Sequence, residues 1–283
     1  MRLRTLPVST AGVVLASGYA CLHDSFRWLP AVLCFVFALL AQVASNFANE
    51  YYDFRNGSDK QGREGFRRGV TEGDITPEAM RRATFLTLAA ACAVGCCLIP
   101  FGGWKLIPIG VVIALFALAY SAGPYPLSRI GLGDVAVLVF FGFVPVCLTF
   151  FLQTGYISAD VVMASAAVGL MGCNVLIVNN YRDMDDDRAA GKKTTVVRFG
   201  RNVAAKAYLT FGIAAVALTY PLWLPTSVGT IYQVIIPAIY LTLHVATWHR
   251  ICHSKGAALN PLLGATARNM LIHSLLLLAL CLL

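Results

Sequence analysis

Apolar stretches long enough to cross a bilayer recur nine times along these 283 residues, near 6–22, 29–51, 80–100, 104–121, 134–154, 160–181, 203–223, 230–249 and 260–283. A hydrocarbon core about 30 Å thick takes about 20 residues of helix. Lipid offers the backbone no hydrogen bonds, so only helices and closed barrels cross it. The alternating segments of about ten residues that mark a barrel are absent. The expected fold is therefore all-α: a polytopic membrane protein with about nine transmembrane helices. A hydrophobic content of 58% agrees, since soluble domains hold about 45–50%. The first stretch follows Arg2 and Arg4 as a signal peptide would, but no small-residue cleavage site precedes the next span, so it reads as a helix. No linker or shift in composition interrupts the chain, and residues 1–283 read as a single domain.

With nine spans, all but Arg27 and Lys105 of the 22 basic residues fall on the side of the N-terminus. The positive-inside rule puts that side, with the loops near 54–82 and 182–206, in the cytoplasm and the C-terminus outside. Membrane orientation thus accounts for the net charge of +8, and no nucleic-acid partner is expected. The nine cysteines form no CxxC and lie mainly in apolar runs, where they read as small packing residues.

Two polar clusters stand out, each where an apolar run ends on the basic side. In the first, Asn46, Asn49, Glu50 and Asp53 fall at i, i+3, i+4 and i+7, one face of a helix. In the second, Asn179, Asp183 and Asp187 repeat every four residues, with Asn180 beside them. Either alone could be a solvated helix end. Two at matched depth on one face point to a bound ligand, because polar stripes at the mouth of apolar helices are costly. Facing carboxylates repel unless a cation sits between them. Oxygen-only donors suit Mg²⁺ rather than zinc or copper, and Mg²⁺ pairs a few carboxylates with substrate phosphates. Arg63, Arg68, Lys192 and Lys193 then read as phosphate contacts. The ligand that fits is a diphosphate at the membrane surface whose other end lies in lipid, such as a polyprenyl diphosphate. Both clusters precede loops rich in Gly, Arg and Lys. This echo is either an internal repeat or chance, and both readings stand.

The motifs NxxNxYxDxxxGxD (Asn46 to Asp59), RxGxxRGxxxG (Arg63 to Gly73) and NNxRDxxxDxxxGKxT (Asn179 to Thr194) resemble those of the UbiA superfamily of intramembrane prenyltransferases. Within it, the pattern is most similar to the 1,4-dihydroxy-2-naphthoate polyprenyltransferases of menaquinone synthesis. Tyr120 to Pro124, Gly131 to Asp134 and Leu259 to Leu263 extend the resemblance over almost the whole chain. Two departures are Glu50, where the family has Asp, and Phe66, at a position often Pro.

The resemblance implies a UbiA-like fold around a central cavity in a bacterial inner membrane. It also implies Mg²⁺ held by Asn49, Asp53, Asp183 and Asp187, with Asn46 and Asn179 beside them. The implied substrates are a polyprenyl diphosphate and an aromatic acceptor, joined with loss of diphosphate and carbon dioxide, with the prenyl tail in a groove open to lipid. Tyr51, Tyr52 and Tyr181 can shield an allylic cation, although interfacial anchoring explains them as well. Asp134 caps a helix start, and by resemblance lines the acceptor site. His249 and His253 lack a third ligand and read as a polar loop, while His244 and His273 read as packed within spans. Two alternatives remain at this level. One is a sibling enzyme using 4-hydroxybenzoate or homogentisate, and the other is an ion transporter, which would place charge at the bilayer midplane.

Overall fold

The structure is a computed structural model and describes residues 5–57, 59, 65–219 and 230–282. Its principal helices are α1 (Leu6–Leu22), α2 (Trp28–Arg55), α3 (Pro77–Cys96), α4 (Leu106–Ala119), α5 (Gly133–Thr154), α6 (Ala159–Ala189), α7 (Thr195–Thr219), α8 (Thr230–Cys252) and α9 (Asn260–Cys281). There is no strand among the described residues. Each of the nine apolar stretches falls largely on one of these helices. By length and composition, however, six are able to cross a membrane: α2, α5, α6, α7, α8 and the run containing α9. Helices α1 and α4 are apolar but shorter, at 17 and 14 residues, and α3 carries Arg81 and Arg82 near its start.

Length explains how the polar clusters leave the lipid. At about 1.5 Å per residue, the 28 residues of α2 and 31 of α6 reach about 42 and 46 Å, well beyond a ~30 Å core. Both helices are long enough to reach past the hydrocarbon, and their C-terminal turns meet at the same end of the bundle around one cavity. The connection after α2 returns through Thr76, whose hydroxyl caps α3 by accepting from Ala79 N–H (3.2 Å), with Pro77 at the first helical position.

Small residues set the packing, as expected where lipid removes the hydrophobic drive between helices. The first apolar stretch is a structural helix: Ala11, Leu15, Ala16 and Ala20 of α1 are fully buried against its neighbours. Helix α5 contains a widened π turn at Leu138–Phe143, which the sequence pattern did not signal. There the backbones of α5 and α6 meet so closely that a Cβ on Gly142 would lie 2.6 Å from Gly169 Cα. Among α7, α8 and α9, intramembrane polar groups pair with one another. Tyr208 shares a hydrogen bond with Thr266 (3.0 Å), Asn269 donates to Thr247 (3.0 Å), and the His244 ring stacks between Tyr208 and Tyr240. His244 and His273 are thus packed side chains, as their place within spans suggests. All nine cysteines are free thiols.

Candidate active site

The last turns of α2 face the loop that follows it. Arg68, only 3% exposed, donates through Nη2 to Asn49 Oδ1 (3.0 Å) and Asp53 Oδ2 (3.2 Å), and its Nε lies 3.2 Å from an Asp59 carboxylate oxygen. The loop is shaped by two further contacts. Arg67 grips Asp74 with two bonds of 2.8 and 2.7 Å, which holds that carboxyl below its usual range. Glu50 Oε1 accepts from Val70 N–H (3.2 Å). Glu50 therefore anchors the arginine-bearing loop to α2.

The end of α6 repeats the arrangement with its own arginine. Arg182 is buried and donates to both oxygens of Asp183 (2.7 Å each), to Asn179 Oδ1 (2.9 Å) and to Asn260 Oδ1 at the start of α9 (2.8 Å). One turn on, Lys192 Nζ lies 3.0 Å from Asp187. The loop after α6 is laced to the loop before α5. Lys193 N–H donates to Arg129 O (2.7 Å) and Arg129 to Ala190 O (2.9 Å), while Arg198 donates to Ile130 O (2.8 Å). Gly131 takes φ +91° at that seam, where a Cβ would lie 2.6 Å from Lys193 O.

Between the two clusters lies a polar cavity of about 150 Å³, lined by Asn46, Asn49, Asp53 and Arg68 from one side and Asn179, Asn180, Asp183, Asp187 and Lys192 from the other, with Asp134 on a third wall. A second cavity of about 440 Å³, walled by the apolar faces of α2, α3, α4 and α5, runs into the membrane-spanning part of the bundle. Gln42, Ser45, Tyr120, Val137 and Phe141 line both. A polar chamber sharing a wall with a larger apolar one suits an amphiphile with an anionic head. The donors facing the chamber are oxygens, without His or Cys, which is the chemistry of Mg²⁺. Among the described residues, no three His, Cys, Asp or Glu side chains are gathered into a metal cage.

The structure thus brings together Asn46, Asn49, Asp53, Arg68, Asp134, Asn179, Asp183, Asp187 and Lys192. It leaves four expected residues off the cavity wall. Lys193 is exposed and contributes its backbone to the Arg129 seam. Tyr51 and Tyr52 pack edge to face on each other, 5.0 Å between centroids. Tyr181 lies under the Arg201 guanidinium, 5.7 Å away. Arg63 lies outside the described residues. The aromatic side chains at the junction are instead Tyr120 and Phe141. Sequence reading gave Tyr120, Arg182 and Asn260 no task of their own. The Leu259 to Leu263 stretch was the available signal for Asn260.

Residues 6–282 match the UbiA prenyltransferase family. A similar protein is 1,4-dihydroxy-2-naphthoate octaprenyltransferase of Haemophilus influenzae, 35% identical over 232 residues that cover 75% of each chain. Among solved structures, the apo form of a UbiA homologue from Aeropyrum pernix K1 superposes with a TM-score of 0.75 at 14% identity, covering 99% of this chain and 98% of that one. A UbiA homologue from Archaeoglobus fulgidus bound to GPP and Mg²⁺ gives 0.64 at 16% identity, covering 98% and 99%. With a family match spanning nearly its whole length, the chain belongs to the UbiA prenyltransferase family.

Proposed function

We propose that this protein is a single-domain, Mg²⁺-dependent enzyme that transfers a polyprenyl group from polyprenyl diphosphate to 1,4-dihydroxy-2-naphthoate, releasing diphosphate and carbon dioxide in menaquinone synthesis. The observation that carries the reading is a pair of cavities sharing one wall, with both acidic clusters around the polar one and the apolar faces of α2, α3, α4 and α5 around the other. The relative named above acts on the same acceptor by its name, and a homologous structure holds GPP with Mg²⁺. The diphosphate takes the polar chamber and the tail the apolar one. Asn49, Asp53, Asp183 and Asp187 hold Mg²⁺, with Asn46 and Asn179 at the edge of the donor set. The ion supplies Lewis-acid neutralisation of the diphosphate oxygens. Arg68 and Lys192, the basic side chains on the chamber wall, meet the charge that grows on the leaving group. Tyr120 and Phe141 line both cavities, so an allylic carbon between head and tail would lie beside aromatic rings. The chamber opens on the cytoplasmic side of a bacterial inner membrane, with the C-terminus outside.

Purified protein given a polyprenyl diphosphate and a panel of aromatic acceptors tests the reading. Turnover of 1,4-dihydroxy-2-naphthoate with carbon dioxide release, abolished by EDTA and restored by Mg²⁺, is expected. Asp53→Ala or Asp187→Ala should each lower kcat by about 10²–10³ or more while leaving the protein folded, on the scale of one lost electrostatic contact to the transition state. Preference for 4-hydroxybenzoate or homogentisate would replace the acceptor, and metal-independent turnover would remove the assigned cation site.

A further inference from the structure

Four carboxylates line the polar chamber, and three are matched to a basic side chain: Asp53 to Arg68 (3.2 Å), Asp183 to Arg182 (2.7 Å) and Asp187 to Lys192 (3.0 Å). The fourth, Asp134, is bonded to a neutral group instead. Its Oδ2 accepts from the Thr195 hydroxyl at 2.8 Å, and no ion pair to it occurs among the described residues. A carboxylate gripped by a guanidinium or ammonium is a weak proton acceptor, because the cation favours the ionised form. Asp134 is the wall group without that handicap.

Its position is also distinct. Asp134 stands in the first turn of α5, off both acidic helices, and shares a face with Val137 and Phe141 at i, i+3 and i+7. Val137 and Phe141 line both cavities, so this face runs from the polar chamber to the place where head and tail of an amphiphile would divide. The preceding residue is Gly133, and a Cβ there would lie 3.6 Å from the Tyr120 hydroxyl, which puts the phenol beside the same wall. A flat aromatic acceptor lying between Tyr120 and Asp134 would have its ring at the junction and a hydroxyl toward the carboxylate.

We propose that Asp134 is the base of the reaction, taking the proton from the acceptor hydroxyl beside the ring carbon that is alkylated. This rests on the acceptor being a hydroxyaryl carboxylate, as set out above. As the O–H bond breaks, its electron pair forms the carbonyl. The ring π pair then forms the new bond to the allylic carbon, and the allylic C–O pair leaves with diphosphate. The proton is now on Asp134. The alkylated carbon carries both the prenyl group and the carboxylate, next to a ketone. The bond to the carboxylate carbon breaks, carbon dioxide leaves, and the released pair flows to the ketone oxygen. That oxygen takes the proton back from Asp134 and restores the aromatic hydroxyl. Asp134 begins and ends as a carboxylate, and nothing is oxidised or reduced. Thr195 is a positioning residue that fixes the carboxylate's rotation.

The test compares wild type with Asp134→Asn and Thr195→Val, all purified and assayed with polyprenyl diphosphate and 1,4-dihydroxy-2-naphthoate. Asp134→Asn should lower kcat by about 10²–10⁴, the usual worth of a positioned base. Its Mg²⁺-dependent binding of an unreactive prenyl thiodiphosphate should match wild type. The deficit should shrink with a ring-fluorinated acceptor, whose hydroxyl ionises more readily. Thr195→Val should lower kcat about 3–10-fold, the effect of one neutral hydrogen bond. A wild-type kcat for Asp134→Asn, or loss of thiodiphosphate binding in it, would overturn the assignment. If Asp134→Asn does not fold, an unchanged kcat in Thr195→Val overturns it equally. Inactivity of the wild-type protein toward every hydroxyaryl carboxylate would instead overturn the proposed function beneath it.

Discussion

Arg182→Met is the sharpest perturbation the structure suggests, because Arg182 is buried beside the chamber without lining it. The arginine is 4% exposed and makes four hydrogen bonds of 2.7–2.9 Å, two of them to Asp183, itself 4% exposed. Methionine keeps most of the volume and removes every donor. Asp183 loses the guanidinium that grips both of its oxygens, and Asn179 and Asn260 lose their shared partner. Breaking a buried pair from one side costs about 3–5 kcal/mol. At about 2–4 °C per kcal/mol for a chain of this size, the thermal midpoint should fall by about 6–20 °C. Mg²⁺ should raise the midpoint of the variant more than that of wild type, since there it would restore positive charge that Arg182 supplied to Asp183. Arg182→Lys should recover part of the loss, because an ammonium restores the charge but not the two-pronged grip. The assay is tryptophan fluorescence during heating in detergent, with EDTA and then with Mg²⁺. A variant midpoint within about 2 °C of wild type in EDTA would refute the idea that Arg182 compensates a buried charge. A large loss of kcat with an unchanged midpoint would refute it differently, by giving Arg182 a place at the substrate.

Two further substitutions test other parts of the construction. Glu50→Gln keeps an oxygen for Val70 N–H and should leave KM for the prenyl diphosphate near wild type. Glu50→Ala orphans that buried N–H at about 1–3 kcal/mol and should raise KM by slackening the Arg68 loop, as steady-state kinetics would read. Gly212→Ala drives a methyl group into the His244 ring, an overpacking that should cost about 1–3 kcal/mol or more by thermal denaturation, with little change in KM for either substrate.

The all-helical membrane fold was legible because a bilayer imposes length and apolarity together, leaving few other readings. The two stripes were legible because a four-residue spacing survives into any helix. What the sequence could not supply were choices made by tertiary contacts. Lys192 and Lys193 are adjacent and chemically alike. The bond from Lys193 N–H to Arg129 O, closed over Gly131, turns one side chain inward and the other to solvent. Glu50 shares the helical face of Asn46 and Asp53, yet a backbone N–H twenty residues along captures it. Tyr181 is flanked by the Asn179, Asp183 and Asp187 stripe, and Arg201 claims its ring from α7. The π turn of α5 lies where Gly142 meets Gly169, a contact that no local pattern encodes.

The echo between the two long loops has a counterpart in side-chain chemistry. On α2, one arginine nitrogen bridges Asn49 and Asp53, four residues apart; on α6, one bridges Asn179 and Asp183, also four apart. The two arginines reach these positions differently. Arg68 arrives from a loop and faces the chamber, whereas Arg182 belongs to the same helix as its partners and is pinned from behind by Asn260. Both arrangements solve one problem: opposed carboxylates in a low-dielectric site repel, and a built-in cation lets the chain fold with them in place. The difference assigns unequal work on the proposed function. A guanidinium on a chamber-facing loop can exchange its carboxylate for a phosphate oxygen with small movements of that loop. A guanidinium tied to two helices cannot follow it. Charge recognition of the diphosphate should therefore come from the α2 side, and the α6 side should supply the fixed wall against which the head group is seated.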